Sequence, residues 1–120
     1  MAMMSTARVE TRQEQPAPID LVSLAANTLG NRDLEREVLR MFRAQTSSMM
    51  SRIDQEASAA VRKDLVHTLK GSARAIGASH VAAACEDLEA VLEKGDAPDF
   101  RPLVSAVEEV NAYIGSLLNA

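Results

Sequence analysis

The chain has 120 residues, a formal net charge of −4 at pH 7 and 47% hydrophobic residues, with Phe42, Phe100 and Tyr113 as its only aromatics. That length suits a single domain with one modest core. The acidic balance and the scarcity of stacking groups exclude general nucleic-acid binding, no apolar run is long enough to span a membrane, and a single cysteine, Cys85, excludes an internal disulfide.

Residues 1–18 read as a disordered tail. The polar run Thr11–Gln15 has no apolar period, and Pro16 and Pro18 close the segment. Residues 19–120 read as one helical domain. A short helix is expected from about Asp20, a natural N-cap, to Leu29, with Gly30 as its stop. Asn31 caps a second helix, with Asp33 and Glu35 near its positive N-terminal end and a stripe of Leu34, Val38, Met41, Phe42, Met49 and Ile53. It is expected to end near Ala57. A third helix starts near Ser58 or Ala60 and ends at Gly77 or Ala78, with Val61 leading into a stripe of Leu65, Leu69, Ala73 and Ile76. Ser79 is expected to cap a fourth helix carrying Val81, Ala84, Cys85, Leu88, Val91 and Leu92, stopped by Gly95. Asp96 as cap and Pro98 in the first turn would open a fifth, with Phe100, Leu103, Val107, Val110, Ile114 and Leu117 on one face.

No segment alternates with period two, and Ala, Leu, Val and Met supply most of the apolar mass, which favours helices over strands. The links are short, so consecutive helices run antiparallel. The predicted fold is all-α: an antiparallel up-down four-helix bundle with a short extra N-terminal helix lidding one end.

The third helix carries the chemistry. His67 lies about 200° round the axis from both Leu65 and Leu69, so it points to solvent. Lys63, Lys70, Gly71 and Arg74 share its face, at offsets of −4, +3, +4 and +7. An exposed imidazole with cations around it and a residue without a side chain beside it can hold a phosphoryl group. A glycine inside a helix costs about 0.5–1 kcal/mol relative to alanine, which folding alone does not explain. Close helix packing at Gly71 and an incidental surface histidine are the plainer alternatives.

Other candidate sites are weaker. Cys85 lies on an apolar stripe and reads as core. His80, five residues away, is badly spaced for a shared metal, and reads as a solvated helix-end residue. Met41, Met49 and Met50 read as bundle core and its margin. Neither a glycine-rich phosphate loop nor a Ser-His-Asp arrangement is present.

The run His67-Thr68-Leu69-Lys70-Gly71-Ser72, followed by Ile76-Gly77-Ala78, resembles the signature of histidine-containing phosphotransfer (HPt) domains. Cys85-Glu86-Asp87-Leu88-Glu89 is similar to that family's second helical block at the expected distance, and Leu39 to Phe42 resembles its preceding helix. The resemblance covers residues 20 to 118. It implies that His67 is phosphorylated through Nε2, that Lys70 contacts the phosphoryl group and that Gly71 keeps the approach open. It also implies that Glu89 stands near the imidazole, where it can accept a hydrogen bond from Nδ1–H. Some relatives carry a basic residue one turn beyond; this chain has Glu93, so Arg74 or Lys63 would have to serve instead.

The expected function is that of a phosphorelay intermediate, a phosphohistidine carrier without kinase activity of its own. Its expected partners are response-regulator receiver domains and a hybrid histidine kinase, docking on Ala60, Ala75 and Ala78 within a rim of Lys63 and Arg74. No cofactor is expected on the chain; magnesium would belong to the receiver partner. The protein is expected to be monomeric, because the four-helix core closes within one chain, and cytoplasmic, since the sequence opens without a basic-then-apolar leader. The rival reading is a non-catalytic helical interaction module. A kinase dimerisation domain would need two long helices and a following ATP-binding domain.

Overall fold

The computed structural model describes residues 17–119, so most of the tail expected over residues 1–18 lies outside the described residues. Among the described residues five helices follow in order: α1 (Leu21–Asn27), α2 (Arg32–Gln55), α3 (Ala59–Ile76), α4 (Ser79–Glu93) and α5 (Arg101–Leu118). Helices α2 to α5 close a ring in which α2 packs on α3, α3 on α4, α4 on α5 and α5 back on α2. The short α1 packs on α3. The fold is the expected four-helix bundle with an added N-terminal helix.

The helix starts follow simple capping chemistry. Asp20, Asn31 and Ser58 each accept hydrogen bonds from the first-turn amides of α1, α2 and α3. Ser79 does not cap α4 as the sequence suggests. It is the first helical residue, because α3 and α4 are joined by Gly77 and Ala78 alone. The Ala78 amide donates back to the Ala73 carbonyl and the Gly77 amide to that of Arg74, the two bonds of a Schellman turn. Helix α5 also starts later than expected. Asp99, not Asp96, accepts the Arg101 amide, and Pro102, not Pro98, occupies its first turn.

Gly77 has two reasons to be glycine. Its φ is +77°, and an added Cβ would lie 2.9 Å from both the Cβ and the carbonyl oxygen of Asp20. That close approach docks α1: the Asp20 amide donates to the Gly77 carbonyl at 2.8 Å, and the Asn27 side chain donates to the Ala75 carbonyl at 2.6 Å. At the other end of α1, Leu29 (φ +54°) and Gly30 (φ +72°) both hold left-handed positions, so the turn begins one residue before the expected glycine stop.

The core runs along all four long helices. On α2 the buried seam is Leu39, Phe42, Thr46, Met49 and Ile53, spaced three and four apart. Leu34 and Met41, expected on it, are exposed. Met41 lies about 100° from Phe42 and about 160° from Leu39, so it faces away. Thr46 takes a core position as a polar residue. Its hydroxyl donates to the Arg43 carbonyl and accepts from Asn111, which ties α2 to α5. Val66 on α3 and Ala82 on α4 are buried beyond the expected stripes, while Val61 is exposed. Ala73, Ala78, Ala82 and Cys85 are all buried along α3 and α4. Their small size lets these two backbones run close together, and α3 carries His67 on the flank facing solvent.

Candidate functional site

His67 sits midway along α3 with its side chain 70% exposed. The apolar neighbours that orient it are Val66 and Leu69, both fully buried, which fix the helix's rotation and leave the intervening position outside. Nδ1 of the ring lies 3.2 Å from Oε2 of Glu89 on α4. An ionised carboxylate only accepts hydrogen bonds, so in a neutral ring this contact places the proton on Nδ1 and leaves the lone pair on Nε2.

Glu89 is itself clamped. Its other oxygen, Oε1, lies 2.7 Å from the Lys70 ammonium, and that buried atom has no hydrogen-bond partner besides this ionic contact. Partial burial alone would raise the Glu89 carboxyl. The Lys70 ammonium, and after it the His67 ring, outweigh burial and hold the carboxyl below its ordinary value. Lys70 is only 14% exposed, so it is largely covered and not open as its helical offset suggests. Its head is anchored by Glu89 on α4.

The remaining cations of this face are also paired. Lys63 meets Glu93, and Arg74 meets Glu86 at 3.4 Å. Helices α3 and α4 therefore face each other as a ladder: Lys63, Lys70 and Arg74 descend one rail, and Glu93, Glu89 and Glu86 the other. The sequence contains this pattern, since acids spaced 3 and 4 apart on an antiparallel neighbour match cations spaced 4 and 7 apart. The pairing of Glu86 and Glu93 becomes visible only once helix register is fixed.

Gly71 lies one turn beyond His67 and is exposed. A Cβ built on it meets nothing within 4 Å, so close packing within the chain does not explain the glycine. Ala60 and Ala75 are exposed on the same helix. Ala78 is not available to a partner as expected. It is completely buried, because the tight turn into α4 folds it under the hairpin.

These features lie within a recognisable family. The family model described as the Hpt domain matches residues 37–120, more than two thirds of the chain. This chain belongs to the Hpt domain family. Membership implies histidine phosphotransfer within a phosphorelay. No curated protein and no solved structure matches the chain significantly. Helix α1 and the first turn of α2 lie ahead of the matched region of this Hpt domain.

Among the described residues no three His, Cys, Asp or Glu side chains gather as a metal site, and no helix is long and apolar enough to cross a membrane. His80, expected to be a solvated helix-end residue, stands with Nδ1 2.8 Å from Oε1 of Glu109 on α5. The Cys85 thiol is pushed up to about 12, first by burial and then by the Glu89 charge, with Lys70 pulling weakly the other way. It therefore carries no thiolate for chemistry near neutral pH.

Proposed function

We propose that this Hpt domain is a cytoplasmic, monomeric phosphorelay intermediate spanning residues 19–120. His67 accepts a phosphoryl group from the aspartyl phosphate of a response-regulator receiver domain, or of a hybrid histidine kinase, and passes it to a second receiver. The observation that carries this assignment is the pairing of an exposed His67 ring with Glu89 behind it, so that the nitrogen with the free lone pair points outward.

In the transfer, Nε2 attacks phosphorus in line. The Nε2–P bond forms as the P–O bond to the donor aspartate breaks, and the carboxylate leaves with the bonding pair. The ring keeps its Nδ1 proton and gains positive charge. Glu89, 3.2 Å from Nδ1, stabilises that charge as it develops. Lys70 pairs with the new phosphoryl oxygens from its anchored position. Gly71 leaves room for the partner, and Ala60 and Ala75 form the apolar floor of its docking surface within a rim of Lys63 and Arg74. The chain needs no cofactor; the receiver supplies the magnesium of its own aspartate site. Each partner must leave after transfer, so docking is transient.

The test is transfer from phosphorylated receiver domains to the purified chain. The expected result is an acid-labile, base-stable label that is lost in His67→Gln. Label that persists in His67→Gln overturns the assignment. A receiver that binds without transferring leaves a non-catalytic interaction module.

A further inference from the structure

Lys63 and Glu93 form an outer rung of the ladder, the one on the N-terminal side of His67. Their side chains are 39% and 65% exposed, against 14% and 16% for Lys70 and Glu89. Lys63 stands one turn before His67, about 5–6 Å along the axis, and its side chain is long enough to reach either Glu93 or a group on the outer nitrogen of His67. Exposed ion pairs are weakly held. A phosphoryl group near −2 in charge, with three acceptor oxygens, is a stronger attractor than one carboxylate.

We infer that Lys63 is a movable cation, resting on Glu93 when His67 is free and moving to the phosphoryl oxygens when His67 is loaded, an inference that rests on the phosphorelay reading above. Glu93 then acts against the phosphorylated form. It competes for the one ammonium that can swing, while Lys70 stays tied to Glu89. Arg74 lies on the far side of His67, two turns away, with its own partner Glu86. The consequence is a phosphohistidine kept reactive enough to be passed on, with Glu93 as a positioning residue that acts through Lys63.

The experiment uses the full chain and potassium phosphoramidate, which needs no docking partner. Nε2 of His67 displaces ammonia from phosphorus, and the phosphoryl group is followed by 31P NMR as a function of pH. A nearby ammonium favours the fully ionised phosphoryl group and lowers its titration midpoint. Glu93→Gln is expected to lower the midpoint by about 0.3–0.6 pH unit at low salt, a two- to fourfold change in proton dissociation. Lys63→Ala is expected to raise it. In the double variant the effect of Glu93→Gln is expected to vanish, because no swinging cation remains to be freed.

A midpoint unchanged by Glu93→Gln overturns the inference. So does a shift of full size that survives in the Lys63→Ala background, since it would come from direct repulsion alone. Both residues lie at the surface, and far-UV circular dichroism checks that all four chains are folded. A chain that takes no label on His67 overturns the phosphorelay reading itself, which separates the two failures.

Discussion

Lys70 and Glu89 form the only ion pair among the described residues in which both side chains are mostly covered, at 14% and 16% exposure with 2.7 Å between Nζ and Oε1. Shielding changes what the pair is worth. An exposed pair contributes about 0–1 kcal/mol, whereas removing one partner of a covered pair strands a charge. Lys70→Ala leaves Glu89 Oε1 without a polar contact and is expected to destabilise the fold by about 1–3 kcal/mol. Lys63→Ala and Arg74→Ala, on the open rungs, are expected to cost less than about 0.5 kcal/mol each. Urea midpoints of the three variants check the ranking. Equal losses would mean that Lys70 is no better anchored than its neighbours.

The same pair sets part of the acid stability. Glu89 is held below its ordinary value of 4.5 in the folded chain, so the folded state binds fewer protons there than the unfolded state. Its contribution is complete above the unfolded value and is lost as pH falls from about 5 through the lower folded value. Asp20 and Asp99 are lowered too, by hydrogen bonds from Ser23 and from Arg101 respectively, and act in the same window. Glu89→Gln is therefore expected to flatten the fall in stability below about pH 5 without abolishing it. Urea unfolding at several pH values measures the slope. An unaltered acid limb in Glu89→Gln would show that the carboxyl titrates alike in both states.

Much of this fold and site was legible in the sequence because each long helix declares a period. The His67 face follows from Leu65, Leu69 and Ala73, and the glycine stops at Gly77 and Gly95 follow from turn chemistry. What periodicity could not show was the relation between helices. Lys70 looks open on its own helix and is covered only because α4 lies against it. Ala78 looks like an exposed small residue until the two-residue turn buries it. Thr46 hides in the core because Asn111, sixty-five residues away, satisfies its hydroxyl. Met41 is apolar, yet its angle on α2 turns it to solvent, so hydrophobicity alone overstates that seam.

Leu29 offers a route to a more stable chain. It holds a left-handed conformation at φ +54° while the residue is 94% exposed. The turn that ends α1 needs that conformation, with the Gly30 amide donating to the Ala25 carbonyl at 2.9 Å. A β-carbon costs about 1–2 kcal/mol there, less for asparagine, and the exposed leucine recovers little by burial. Leu29→Asn is expected to stabilise by about 0.5–1 kcal/mol. Thermal unfolding tests this, and a lower Tm would mean that Leu29 makes a contact worth more than its strain.

Gly71 and Gly77 should respond oppositely to the same substitution. Gly77→Ala forces a β-carbon onto a φ of +77° and to 2.9 Å from Asp20, where backbone atoms cannot step aside. It is expected to destabilise by about 1–3 kcal/mol, with α1 loosening first because the added β-carbon pushes against the residue whose amide bonds the Gly77 carbonyl. Gly71→Ala adds a β-carbon in open space within an ordinary helix and is expected to stabilise by about 0.5–1 kcal/mol. A longer side chain there changes the outcome for the partner, not for the fold. Gly71→Gln is expected to keep the helix intact while slowing transfer to His67 by an order of magnitude or more, since about 1.4 kcal/mol of lost docking is tenfold. Hydrogen exchange in α1 reads the first effect, Tm the second and single-turnover transfer the third. Transfer at the parent rate in Gly71→Gln would show that a partner does not approach His67 across this turn.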